Sequence, residues 1–306
     1  MPDNSLLIIL GATASGKTKL AVEIASELDG EIISADSRQI FKQMDIGTGK
    51  DLNEYLIGNE IMPHHLIDIL EPGERYHVDA FKNDFYKAFQ SIIEKGKKPI
   101  LCGGTGMYIH SLLQNQYYTA VPVNINFRNE LEFSSKDELV NVLSKYQSDS
   151  ASSVDLSSKK RLIRAIEIAE YLKYNKLEIV ERPEIKPIIF GLKNKVEITR
   201  SNILKRLDTR LQNGMIEEVQ NLLVQGISKE ILIFYGLEYK FIVSYLSGEL
   251  SFDELKMKLG IAICQFAKRQ NTFFRKMEKD GVLINWLDAS APLNLLKQQI
   301  LEKVSK

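Results

Sequence analysis

Short apolar runs alternate with amphipathic stretches over the first third of the chain. Residues 6–10 (LLIIL), 31–34 (EIIS) and 99–102 (PILC) are too short for helices and largely apolar, as parallel strands buried on both faces are. Between them, Leu20, Val22, Ile24 and Leu28 predict a helix that stops near Gly30. Phe81, Phe85, Phe89 and Ile92–Ile93 mark one side of a second helix over 78–95, ended by Gly96. Strand, loop and helix in that order predict a parallel sheet covered by helices on both faces.

The pattern changes after about Leu113. Residues 114–126 are polar and turn-prone, and Ser135-Lys-Asp-Glu138 reads as a capping box opening a helix through Leu139, Val142 and Leu143. A serine-rich linker, SDSASSVDLSS, leads to a helix over 159–174. The sheet resumes at 187–192 (PIIFGL), the remainder is mostly helical, and 282–286 (VLINW) is a candidate last strand. The expected fold is α/β: a P-loop-containing, doubly wound parallel sheet with a small helical insert and a helical C-terminal half. Its expected domains are a core of 1–114 with 156–306 and an insert of 115–155.

Composition narrows the function classes. The 306 residues carry 40 basic and 40 acidic side chains, so a polyanion partner needs a local patch rather than net charge. Cys102 and Cys264 are the two cysteines, far apart, which excludes a disulfide framework and a cysteine-rich zinc site. The four histidines have no metal-ligand spacing; His64 and His65 fall in a loop candidate after Pro63. No apolar run approaches the ~20 residues of a membrane span, and the N-terminus has no basic segment of the signal-peptide kind. A cytoplasmic protein without a membrane partner is expected.

The first predicted strand runs into Gly11-Ala12-Thr13-Ala14-Ser15-Gly16-Lys17-Thr18, and a predicted helix follows. That is the context a phosphate-binding loop requires. Its glycines let backbone N–H groups converge on phosphate oxygens, and the helix N-terminus adds partial positive charge. Lys17 would reach the terminal phosphate and the Thr18 hydroxyl a Mg²⁺ ion. A triphosphatase also places a carboxylate at the end of an apolar strand. Here the third strand ends in Cys102-Gly-Gly-Thr105 instead, and the carboxylate, Asp36, closes the second strand. Asp36 is placed to take a proton from an acceptor, or else caps its loop. Lys50 reads as solvated.

Two basic clusters interleave with aromatics or follow a helix face: Lys159, Lys160, Arg161 and Arg164, and then Lys268, Arg269, Arg275 and Lys276 among Phe266, Phe273 and Phe274. Each suits RNA phosphates and bases, or is a solvated face over a phenylalanine stripe. Arg206 and Arg210, four apart, could reach a pyrophosphate.

Taken in order, GATASGKT (11–18), SADSRQIFKQMDIGTGK (34–50), PHHLID (63–68), YHVDAF (76–81), GGTGMYI (103–109), RLIRAIE (161–167), RLDTRLQNGMIEEV (206–219) and AKRQNTFFR (267–275) resemble the tRNA dimethylallyltransferases, also called tRNA isopentenyltransferases. The matching stretches span nearly the whole chain. The resemblance implies that the loop holds the diphosphate of dimethylallyl diphosphate, although the motif has given the family an ATP-binding label. It implies transfer of the dimethylallyl group to N6 of the adenosine 3′ of the anticodon, with Mg²⁺, by a cytoplasmic monomer acting on the anticodon stem-loop. Matched residue by residue, Asp36 is the general base, and Thr105 and Arg210 serve the leaving group. Asp36, Ser37, Arg38, Gln39, Thr105, Arg128, Ser157, Ser158, Lys159, Lys160, Arg161, Lys268, Arg269 and Gln270 are the expected tRNA contacts.

This chain departs from the family pattern in four places. Ile263-Cys264 stand where a Thr-Arg pair is usual, Phe273 where a Trp is, Glu238 where a Gly precedes Tyr-Lys, and Ser157-Ser158 where Asn-Asp is. All four are expected on the RNA-facing side. The Cys/His finger of eukaryotic members has no counterpart, so a bacterial form is expected. The alternative reading is a P-loop kinase of a small metabolite or nucleoside, with ATP in the loop and Asp36 as base.

Overall fold

The computed structural model describes residues 4–114, 116–146, 156–178 and 180–304. Strand β1 (Ser5–Gly11) leads through the glycine loop into helix α1 (Lys17–Glu27), then β2 (Gly30–Ser34). A small antiparallel hairpin, β3 (Leu56–Ile57) with β4 (Glu60–Ile61), precedes β5 (His64–His65). Helix α2 (Val78–Glu94), β6 (Lys98–Gly103) and α3 (Gly106–Leu113) follow. After α4 (Ile125–Glu132), α5 (Lys136–Ser144) and α6 (Lys159–Tyr174), the chain re-enters the sheet as β7 (Lys186–Lys193). Five helices come next: α7 (Val196–Gln212), α8 (Met215–Val224), α9 (Lys229–Tyr235), α10 (Leu237–Leu246) and the long α11 (Phe252–Lys279). Strand β8 (Asn285–Asp288) and α12 (Leu293–Val304) complete the order.

The six-stranded sheet has the order β5-β2-β6-β1-β7-β8, parallel throughout. Alternation along β1 explains the double winding. Leu6, Ile8 and Leu10 pack with Phe81, Phe85 and Phe89 of α2, while Leu7 and Ile9 pack with Leu20 and Ile24 of α1 and Ile300 of α12. A third cluster, including Leu207, Met215, Val219, Tyr239 and Leu259, is the core of the C-terminal helices.

The sequence placed His64 and His65 in a loop; they are the edge strand β5, paired with Ile32 and Ile33. Two residues carry too little periodicity to announce a strand. The last strand falls at Asn285–Asp288 rather than 282–286, because the Val282 amide instead bonds Met277 O at the end of α11.

The chain forms two compact units, Met1–Gln114 with Pro183–Lys306, and Asn115–Arg182. The second is larger than the expected 115–155 insert because α6 packs within it: Leu162, Ile163 and Ile166 meet Leu139 and Leu143 of α5. The Ser135–Glu138 capping box is formed. Residues 148–155 of the serine-rich linker lie outside the described residues.

Candidate active site

The phosphate loop is shaped by close approach and by left-handed backbone. A Cβ on Gly11 would come within 2.6 Å of Ser15 Oγ and 3.1 Å of Leu192 O. Gly16 caps α1 at φ 79°, a conformation that favours glycine. Lys17 opens the helix; desolvation lowers its pKa from the ordinary 10.5, against the pull of Cys102 and Asp36. The strand that would end in a carboxylate in a triphosphatase ends here in a buried thiol, with Cys102 pushed up to about 12 by burial.

Asp36 and Thr105 leave neighbouring strands and are tied together. Ala35 N donates to Cys102 O at 2.7 Å, and Thr105 N to Ala35 O at 3.1 Å. Ser37 N donates to Thr105 Oγ1 at 3.1 Å, and Arg38 N to Asp36 Oδ1 at 2.9 Å. Gly103 makes this possible, since a Cβ there would collide with the Ala35 backbone. Gln39 Nε2 donates to Gly49 O at 3.2 Å, linking the same segment to the loop 45–50.

Helix α7 brings Arg206 to the phosphate loop and Arg210 to the loop 45–50. The Arg206 guanidinium donates to Thr13 Oγ1, and burial together with the Arg210 charge lowers its pKa to about 10. Burial also lowers Arg210, while Glu238, Asp51 and Glu54 pull it back. Among the described residues neither guanidinium has an ion-pair partner. Beside them, a cleft of about 500 Å³ is lined by Ser15, Gly16, Lys205 and Arg206. Two neighbouring cations of reduced pKa, one of them bonded to the phosphate loop, form a site that an anion would complete.

Sequence reasoning did not single out Glu218 of α8. Its carboxylate accepts from Asp45 N (2.8 Å), Ile46 N (2.7 Å) and Gly47 N (3.0 Å), and the Tyr239 hydroxyl donates to it at 2.7 Å. No local signal marks it, because its three amide partners lie some 170 positions earlier. Lys50, read as solvated, is 5% exposed; its ammonium donates to Phe41 O (2.8 Å) and Asp45 Oδ1 (2.6 Å) and pairs with Asp68.

The expected RNA contacts divide. Lys268 and Arg269 are exposed on α11, with the Arg269 guanidinium 5.9 Å from the Phe266 ring. Gln270 is buried instead: its amide donates to Gly104 O at 2.9 Å and accepts from Thr13 N at 2.8 Å, clamping the phosphate loop to the Thr105 loop. In the second unit, Ser157, Lys160 and Arg161 are exposed near the start of α6, Ser158 is its N-cap, and Lys159 Nζ donates to Glu132 O at 2.5 Å. Arg128 grips buried Glu167 through Nε (2.9 Å) and Nη2 (2.7 Å).

The four departures differ in exposure: Ser157 is exposed, while Cys264, Phe273, Glu238 and Ser158 are half-buried. Ile263 is buried in the helical core, the Phe273 ring packs on Gly106, and Glu238 sits under the charges of Arg210, Arg206 and Asp36. Burial raises the Glu238 pKa above the ordinary 4.5.

Among the described residues no group of three His, Cys, Asp or Glu could cage a metal ion. Thr18, half-buried in the first turn of α1, offers a hydroxyl, which suits Mg²⁺ carried mainly by substrate phosphate and water. No helix of the described residues is long and apolar enough to cross a membrane.

Known proteins resemble the chain over nearly its full length. The IPP transferase family matches residues 39–277. The tRNA dimethylallyltransferase 2 of Bacteroides fragilis is 47% identical over 306 residues, covering 99% of this chain and 100% of that protein. The solved full-length tRNA isopentenylpyrophosphate transferase of Bacillus halodurans superposes with a TM-score of 0.73 at 30% identity, covering 99% of this chain and 96% of that one. The Staphylococcus epidermidis tRNA isopentenylpyrophosphate transferase gives 0.71 at 33%, covering 98% of each. Kinship over nearly the full length places the chain in the IPP transferase family, the tRNA dimethylallyltransferases.

Proposed function

We propose that this chain transfers the dimethylallyl group of dimethylallyl diphosphate to N6 of the adenosine 3′ of the anticodon in tRNA. One observation carries the reading: Arg206 donates to the phosphate loop at Thr13 within the field of the Arg210 charge, and the Thr105 hydroxyl accepts from Ser37 N, next to Asp36. The loop amides, Lys17 and the two arginines hold the donor diphosphate, and burial strengthens each contact as charge grows on the departing oxygen. Mg²⁺ on the diphosphate, with the Thr18 hydroxyl as its protein ligand, would neutralise part of that charge.

In the reaction the N6–C1 bond forms, the C1–O bond to diphosphate breaks, and the proton lost by N6 goes to Asp36. Arg38 N holds one Asp36 oxygen, so the carboxylate is oriented before the base arrives. An exocyclic amine is a poor nucleophile, and alignment supplies much of the rate. The adenosine leaves its stack to enter the site.

The test is transfer of labelled dimethylallyl groups to unmodified tRNA, with and without ATP. Label in tRNA without ATP is the expected result. No label, with ATP consumed on a small acceptor, would return the loop to the kinase reading.

A further inference from the structure

Phe234, near the end of α9, keeps 53% of its surface exposed although it lies close to the candidate active site. Two guanidiniums flank it: Arg75 at 5.4 Å from the ring centroid and Arg38 at 5.9 Å. Both guanidiniums lie over the ring, within cation–π reach, and the ring keeps about half of its surface open. The arrangement is braced from beneath. The Tyr235 hydroxyl accepts from Gly73 N at 2.5 Å and donates to Glu74 O at 2.9 Å, fixing the Arg75 loop against α9. Gly236 follows, and a Cβ there would lie 3.7 Å from Arg38 Nε. Arg38 in turn bonds Asp36 through its own amide. An exposed aromatic ring between two cations is thus connected through a single residue to the aspartate at the reacting centre.

We propose that Phe234, together with Arg75 and Arg38 over its ring, is a stacking platform for the nucleobase next to the reacting adenosine. The proposal rests on tRNA being the acceptor, as argued above. A base cannot be pulled from the anticodon loop without unstacking its neighbours, and an unstacked neighbour needs a flat partner. An aromatic face accepts any base, and the flanking guanidiniums attract the phosphates on either side of it. Phe234 and Arg75 are then positioning residues: they hold the RNA so that the adenosine amine meets Asp36, without touching the transferred group.

The experiment measures transfer to an unmodified anticodon stem-loop by the wild type, Phe234→Ala, Phe234→Trp and Arg75→Ala. Each enzyme is also given stem-loops lacking the base on one or the other side of the adenosine. Phe234→Ala should raise the KM for RNA roughly tenfold and leave diphosphate affinity unchanged, and Phe234→Trp should restore it. One of the two abasic stem-loops should weaken wild type by a similar factor and weaken Phe234→Ala no further. Arg75→Ala should lower the salt dependence of RNA binding. Unchanged RNA KM in Phe234→Ala, or equal further losses on both abasic RNAs, overturns the platform. A loss that Trp fails to rescue and that tracks the melting temperature also overturns it, assigning Phe234 to packing. Absence of transfer by the wild type itself would instead count against the acceptor reading.

Discussion

The Arg210 guanidinium fills the space that a side chain at Gly49 would occupy, and Gly49 holds φ +70°. The glycine therefore serves two needs: a left-handed turn in the loop 45–50 and room for a cation that neighbours Arg206. Gly49→Ala should weaken donor binding about tenfold, through backbone strain of about 1 kcal/mol and displacement of Arg210. Arg210→Ala should show the same defect. Titration of diphosphate into both single variants and the double variant checks this, and losses that simply add would separate the two residues.

Gln270 is a second point where one side chain joins two loops. Gln270→Ala would leave Thr13 N and Gly104 O without their partner, at about 1–3 kcal/mol for each buried group. The expected outcome is a lower melting temperature together with a raised KM for the donor. Gln270→Glu should be worse than its size suggests, because its carboxylate would face the Gly104 carbonyl. Thermal unfolding and donor kinetics on the same preparations test both variants; a change in RNA affinity alone would restore Gln270 to the RNA surface.

Much of the phosphate-loop side was legible because its signals are local. An apolar run, a glycine spacing and a helix pattern within residues 5–27 specify β1, the loop and α1. Helix Lys159–Tyr174 was read at the same bounds for the same reason. Glu218 escaped because its amide partners come from far in the chain, and Lys50 because its nearby partners are gathered by an irregular loop that no helix or strand period announces. Lys50 looks like any exposed lysine until Asp68 and the Phe41 carbonyl close on it. Glu218 looks like a solvated helix glutamate until three successive amides of the loop 45–47 converge on its carboxylate. Gln270 stands next to two exposed basic residues and differs from them only by the turn of the helix that buries it.

Glu238 puts a carboxyl group where it opposes the arginines. Burial raises its pKa, Arg210 and Arg206 favour its charged form, and Asp36 disfavours it. Ionised, it offsets part of the positive field that holds a diphosphate. Glu238→Gln should tighten diphosphate binding severalfold and make product inhibition stronger. The linkage sign is that of a raised acid: its contribution to stability is full below the ordinary 4.5 and declines as pH rises through the raised value. The variant should therefore match wild type in acid and gain on it toward neutrality. Diphosphate titrations near neutrality and melting temperatures across that pH range measure both effects, and a weaker diphosphate complex in the variant would reverse the assignment.

Arg128 presents the opposite problem, a residue expected to touch RNA that is already committed. Burial works against ionisation of Glu167, yet hydrogen bonds from Arg128, Arg164 and Asn124 N hold its pKa below the ordinary 4.5. Such an acid stabilises above its unfolded pKa, and the contribution is lost as pH falls through the depressed folded value. Arg128→Ala leaves Arg164 as the remaining charged partner, so we expect a loss of about 2 kcal/mol, discounted because Arg128 is partly exposed. The second unit should melt earlier, and Glu167→Gln should reduce that penalty when combined with Arg128→Ala. Lost tRNA activity in Arg128→Ala would then follow loss of structure in α4 and α6. A direct phosphate contact predicts something different: an unchanged melting temperature and a salt slope lowered by about one. Melting curves and salt-dependent RNA binding on the same variant decide between the two.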